Sequence, residues 1–171
     1  MNTFIVKKIF PLGVFFVIFI LSACGSTNSN YVDEYSKLEQ DAKNIIDGIE
    51  STNYELILDI FSPYVKNNYP DLQSDISELL KQIDGDIVSY EGITSRSMGG
   101  HSTEDGWVEK KLEGEIYNVK TNQKKTYNIK FEGYYINKDN PDKVGVRYLA
   151  IECLDELDEA GYPKKTSIYY E

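Results

Sequence analysis

The chain is poor in the residues that metal centres and activated nucleophiles need. Its 171 residues hold one histidine, His101, and two cysteines, Cys24 and Cys153. A transition-metal site takes three or four nitrogen, sulfur or carboxylate ligands, so this supply argues against one, and no cofactor is implied. A Cys-His pair needs an activating base beside the thiol. His101 instead sits in a stretch flanked by glycine and serine, and Cys153 lies in the apolar run from Val144 to Leu154. A buried, structural Cys153 is the expectation. No glycine-rich phosphate cradle, nucleophile elbow or internal repeat occurs. Basic residues are also scarce, 18 against 28 acidic, for a formal charge of −10. That balance argues against a nucleic-acid partner and against electrostatic docking on anionic lipid.

What is present begins at the N-terminus. Lys7 and Lys8 precede an apolar segment from Ile9 to Leu21, broken only by Pro11 and Gly13. A membrane span needs about 20 apolar residues, and this shorter core suits a signal peptide. It ends in Leu21-Ser22-Ala23-Cys24-Gly25. Small residues before the cut fit a narrow peptidase site, and the thiol can carry a diacylglyceryl group through a thioether. The pattern resembles the lipobox of bacterial lipoproteins. The resemblance implies cleavage before Cys24, lipidation of that residue, and a partner in the lipid bilayer at the outer face of the cell membrane. Two acyl chains anchor stably where one is marginal. The expected organisation is a leader over 1–23, a small polar tether over 24–31, and one domain over 32–171. Without the two leader lysines the remainder has 16 basic and 28 acidic residues, a formal charge of −12. With Cys24 acylated, Cys153 is the lone thiol and no intramolecular disulfide can form.

The periodicity then reads as helices followed by strands. Tyr35, Leu38, Ala42, Ile45, Ile46 and Ile49 recur at helical spacing, with Gly48 weakening the end. Thr52-Asn53-Tyr54-Glu55 fits a capping box for a second helix burying Ile57, Ile60 and Phe61. Ser62-Pro63 restarts the chain as cap and first helical residue. Asp71 is a cap for a helix whose face is Leu72, Ile76, Leu79, Leu80 and Ile83, with Gly85 as its stop. From Ile87 the pattern changes to strand. Ile87–Thr94, Trp107–Lys120, Thr126–Asn137 and Val144–Leu154 are the expected strands. Ser95–Gly106 reads as a loop or flared hairpin end, and Gly114 and Gly133 as bulges or bends. Residues 155–171 are expected at the periphery, with a short edge pairing near Ile168–Tyr170.

This order predicts an α+β fold, with N-terminal helices on one face of a curved antiparallel sheet of four or more strands. The stretches Asp41–Ile46, Leu58–Ser62, Ile83–Tyr90 and Asp142–Val146 resemble those of an uncharacterised lipoprotein family from Gram-positive, mainly clostridial, bacteria. That family has a nuclear-transport-factor-2-like, or cystatin-like, fold. The resemblance covers roughly residues 32–155 and implies a cone-shaped domain with a pocket between helices and sheet. It supplies no catalytic residues. Enzymes of that fold use a pocket carboxylate as base and neutral acids as oxyanion donors.

Asp59, Tyr90, Trp107 and Tyr134, with Glu91, are the candidate pocket or surface contacts. A solvated Asp59 is the commoner explanation of that residue, and the 14 tyrosines are ordinary sheet residues as well as good contact residues. Asn137, Asp139, Asn140 and Asp142 offer oxygens in one turn, but not at EF-hand spacing. Three readings follow. The first is a non-enzymatic lipoprotein whose domain binds a small molecule or a protein. The second is an isomerase- or dehydratase-like enzyme with a buried carboxylate. The third is an assembly module acting through its sheet face.

Overall fold

The computed structural model describes residues 34–171. The leader, Cys24 and the tether lie outside the described residues. Four helices come first: α1 (Glu34–Glu50), α2 (Tyr54–Ile60), α3 (Pro63–Asn68) and α4 (Leu72–Leu80). Six strands follow: β1 (Ile87–Ser89), β2 (Gly92–Thr103), β3 (Gly106–Thr121), β4 (Thr126–Asn137), β5 (Gly145–Leu157) and β6 (Pro163–Tyr169). All pairings between strands are antiparallel. The sheet is a meander in the order β1-β3-β4-β5-β6, and β2 continues β1 along the same edge of β3. The layout is α+β, with six strands where four or more were expected.

Helical spacing puts Leu38, Ala42, Ile45 and Ile46 of α1, Ile57 and Ile60 of α2, and Leu72, Ile76 and Leu79 of α4 in the core. Facing them, β3 supplies Leu112 and Ile116, β4 supplies Tyr127, Ile129 and Phe131, and β5 supplies Leu149 and Ile151. Burial of each large apolar side chain is worth roughly 1.5–3 kcal/mol, so this interface dominates the fold. Cys153 is buried at its edge as a free thiol. β5 is paired at both edges, by β4 and β6, and successive residues Leu149, Ala150 and Ile151, which point to alternate faces, are all buried.

Local details depart from the periodicity in physically clear ways. The Ser62 hydroxyl accepts from Val65 N–H at 3.2 Å with Pro63 in the first turn, as expected. The capping box does not form. Thr52 takes a left-handed φ of 54° in the turn, and Asn53 at the cap position makes no side-chain cap bond. Asp71 likewise occupies the cap position of α4 without a side-chain cap bond, in a helical conformation. Gly48 serves packing rather than termination: a Cβ there would lie 2.7 Å from Ile57 Cγ1, so its absence lets α1 and α2 touch. Ser95–Thr103 is strand rather than loop. It pairs with β3 while both its faces remain exposed.

Gly114 is not a bulge. It stays in register between Ser95 and Phe131, and a Cβ there would meet Phe131 Cζ at 2.3 Å. The glycine is a floor for that ring. The change of face along β3 comes after Ile116, where the register with β4 slips and Asn118 has φ 54°.

A line of bulges crosses the other half of the sheet. Met98 is the extra residue of β2 between Ser97 and Gly99. Tyr135 is the extra residue of β4 opposite Lys110 and Lys111. Arg147 is the extra residue of β5 between the partners of Glu132 and Gly133. Bulges bend strands and re-aim side chains, so three in adjacent ladders bend the sheet along one line. Gly133 is required at this bend, where a Cβ would fall 2.1 Å from the Gly145 carbonyl oxygen. Two sets of polar side chains, one on each face, sit at this fold line.

Candidate binding surface

On the helix side, α1 brings acids down onto the sheet. Asp41 is buried, and its carboxylate accepts from Tyr135 Oη at 2.9 Å and from Lys37 Nζ at 3.1 Å. Burial raises the Asp41 pKa, partly offset by the Lys37 charge and the two hydrogen bonds. Burial and the neighbouring carboxylate push the Tyr135 phenol well above its ordinary range, so it remains a donor. About two turns earlier, Glu34 Oε2 accepts from Lys110 Nζ at 3.0 Å. The same ammonium lies 4.8 Å from the Tyr35 ring and 5.6 Å from the Trp107 ring. A charge in this position is tolerable only when paired, and this one is. These contacts lock the start of α1 to β3 and β4.

The opposite face of the sheet is charged. Arg96 Nε pairs with Glu113 at 2.7 Å, and Lys130 pairs with Glu152 at 2.9 Å and with Glu115 at 3.7 Å. Lys165 completes the row with Glu152 at 3.7 Å. Beside this row, at the line of bulges, Met98, Lys111, Glu132, Gly133, Arg147 and Tyr169 surround an open depression of about 280 Å³. The Arg147 guanidinium carbon is 5.6 Å from the Tyr134 ring centre and 4.7 Å from that of Tyr169. Lys111 Nζ is 4.7 Å from the Tyr134 ring. Arg147 Nε is buried without a hydrogen-bond partner, and its ion pair with Glu132 Oε1 is long, 3.9 Å. The adjoining depression at Arg96 contrasts with this one, because its guanidinium is already satisfied by Glu113.

The four sequence candidates do not converge. Asp59 is exposed on α2, where only its backbone oxygen takes a bond, from Lys66 Nζ. Tyr90 is exposed at the break between β1 and β2. Its neighbour Glu91 accepts from Asn118 Nδ2 at 2.8 Å, bracing the slip in β3. Trp107 lies on the Lys110 side of the sheet, and Tyr134 on the Lys111 and Arg147 side. Trp107 and Tyr134 thus make cation–π contacts on opposite faces of the sheet, and Asp59 and Tyr90 are exposed surface residues. The Asn137–Asp142 turn satisfies its own backbone, with Asn137 Oδ1 accepting from Asn140 N–H at 2.8 Å. Among the described residues no group of three His, Cys, Asp or Glu is arranged to hold a metal. No described helix is long and apolar enough to cross a membrane.

Residues 44–159, spanning α1 from Asn44 through the end of β5, match a family described as a domain of unknown function, DUF5104. The chain belongs to that family. The DUF5104 match takes in Tyr134, Arg147, Lys111, Glu132 and Met98, and leaves out Glu34, Lys37, Asp41 and Tyr169. No curated protein matches the chain. Sequence pattern singles out neither Arg147 nor Glu132. The only signals for them are a charge inside the apolar run from Val144 and the paired glycines Gly133 and Gly145.

Proposed function

We propose that this is a lipid-anchored extracytoplasmic lipoprotein whose DUF5104 domain binds a ligand or partner without transforming it. Leu21-Ser22-Ala23-Cys24, in register behind a basic start and an apolar core, carries this reading. The anchor would hold an acidic domain close to the outer face of the membrane. For the fold, the finer assignment is the nuclear-transport-factor-2-like cone. It is supported by the helices-first order, the meander, and the bulges that bend the sheet along one line.

The enzyme reading has one observation in its favour. Asp41 and Tyr135 pair a carboxylate of raised pKa with a phenol, the parts a carboxylate-base isomerase uses. Both Asp41 oxygens are engaged by Lys37 and Tyr135, and its side chain is 4% exposed. A substrate would have to displace α1 to reach it. Binding at the outward face needs no such movement.

The anchor is tested with the full chain in a lipoprotein-processing host. Cys24→Ser is expected to accumulate as unprocessed precursor, without the diacylglyceryl mass, and to lose the lipid-dependent partition of the mature wild type into the detergent phase. A variant that is processed and partitions as the wild type does would refute the lipid-anchor reading.

A further inference from the structure

We propose that the depression between Arg147 and Glu132 is a binding site for a free α-amino acid with an apolar side chain. This deepens the ligand-binding reading above and rests on it. The first support is the state of Arg147. Its guanidinium is held between the rings of Tyr134 and Tyr169, and its Nε is buried and unpartnered. Buried donors are nearly always satisfied. The guanidinium is planar by its own resonance, lines the depression, and makes only a 3.9 Å contact to a carboxylate. Bidentate capture of a carboxylate is the chemistry its fork suits best.

The second support is the neighbouring charge. Glu132 lies directly beside the guanidinium, so a multiply charged anion would meet repulsion there. A zwitterion does not: its carboxylate faces Arg147 and Lys111 while its ammonium faces Glu132. The short spacing between the two charges of an α-amino acid matches adjacent receptor groups of opposite sign. The third support is the wall. Met98 is 45% exposed and Tyr169 50% exposed, both at the rim of the same depression. A thioether and a ring edge offer apolar contact that adapts to side-chain shape. The volume, about 280 Å³, suits a ligand of amino-acid size.

Backbone geometry builds the site deliberately. Arg147 and Met98 face this depression as the extra residues of their bulges. The Arg147 carbonyl is fixed by the Tyr170 N–H at 2.9 Å. The similar depression at Arg96 has short ion pairs, Arg96 to Glu113 at 2.7 Å and Lys130 to Glu152 at 2.9 Å, whereas here Arg147 reaches Glu132 at 3.9 Å and Lys111 reaches Glu109 at 3.8 Å.

The test uses the full acylated chain in detergent and calorimetric titration with free L-leucine, L-methionine and L-phenylalanine. At least one is expected to bind with Kd below about 1 mM. Its N-acetyl and amide derivatives, each missing one charge, are expected to bind about tenfold more weakly or worse. Arg147→Gln should weaken binding by about tenfold or more, and Lys111→Gln, at a more exposed position, by several-fold. Glu132→Gln should erase the preference for the free amino acid over its N-acetyl form, while Arg96→Gln should bind as the wild type does. No binding by the wild type at about 10 mM, or equal binding by both Arg147→Gln and Lys111→Gln, would overturn the proposal. Membrane partition of the same preparation separates this failure from that of the function. A chain that partitions but binds none of the three overturns the amino-acid site alone, and crosslinking to surface neighbours then tests the broader binding reading.

Discussion

Replacing Tyr135 with Phe removes a single oxygen from the contact between α1 and β4. That oxygen donates to Asp41 Oδ2 at 2.9 Å, and both residues are buried, at 6% and 3% exposure. The variant keeps the ring and its packing, so the loss is that of a hydrogen bond to a carboxylate, about 1.5–3 kcal/mol. In a domain of this size the melting temperature should fall by about 3–12 °C. The deficit should also depend on pH. Burial raises the folded-state pKa of Asp41 above its ordinary value of 3.8. The Asp41 contribution to stability is therefore greatest at low pH and declines as pH rises from that value through the folded pKa. Losing the phenol raises the folded pKa further, because a donor to the charged form is gone. Tyr135→Phe should consequently lose less stability below the folded pKa of Asp41 than near pH 8, where the carboxylate is charged. Urea unfolding across that range measures it. A variant within about 0.5 kcal/mol of wild type at every pH would mean that the phenol does not hold the carboxylate.

Two further substitutions test the packing. Gly114→Val should destabilise the domain by about 1–3 kcal/mol or more, because even a Cβ would sit 2.3 Å from Phe131 Cζ; thermal unfolding reads it, and an unchanged midpoint would show that the ring has room to move. Ser62→Ala should cost about 1 kcal/mol through loss of the cap on Val65 N–H, measured by the same denaturant titration, with no change in amino-acid binding.

Much of this architecture is readable from side-chain period, because period records which face is buried. Leu38, Ala42, Ile45 and Ile46 repeat as a helix, and Tyr127, Ile129 and Phe131 alternate as a strand, since each face meets one environment. β2 escapes that logic. Ser95–Thr103 is exposed on both faces and is held as strand only by its pairing to β3. The polar contacts escape it for another reason. Glu34 and Lys110 are 76 residues apart, and Asp41 and Tyr135 are 94 apart, so neither acid announces its partner locally. Arg147 is legible only as a charge out of place in an apolar strand. What turns it toward Tyr134 and Tyr169 is a one-residue slip against β4, and register is a property of two strands together. Gly114 misled for a related reason: local composition cannot distinguish a glycine that bends a strand from one that seats a ring.

The meander has a consequence in time. Each successive hairpin pairs strands that are neighbours in the chain, which keeps loop-closure costs low and favours rapid zippering of the sheet. The helices, made first, have no such local partner for their apolar faces and must wait for β3 to β5 to emerge. Among the described core residues, Tyr170 comes latest in the chain. Its ring settles 4.5 Å from that of Tyr69 and 6.2 Å from that of Phe61, and its hydroxyl donates to Asp75. Completion of this part of the core thus waits for the segment after β6, and a nascent chain stalled before Tyr170 would present an unlatched α3 and α4 to whatever chaperone or protease stands nearby.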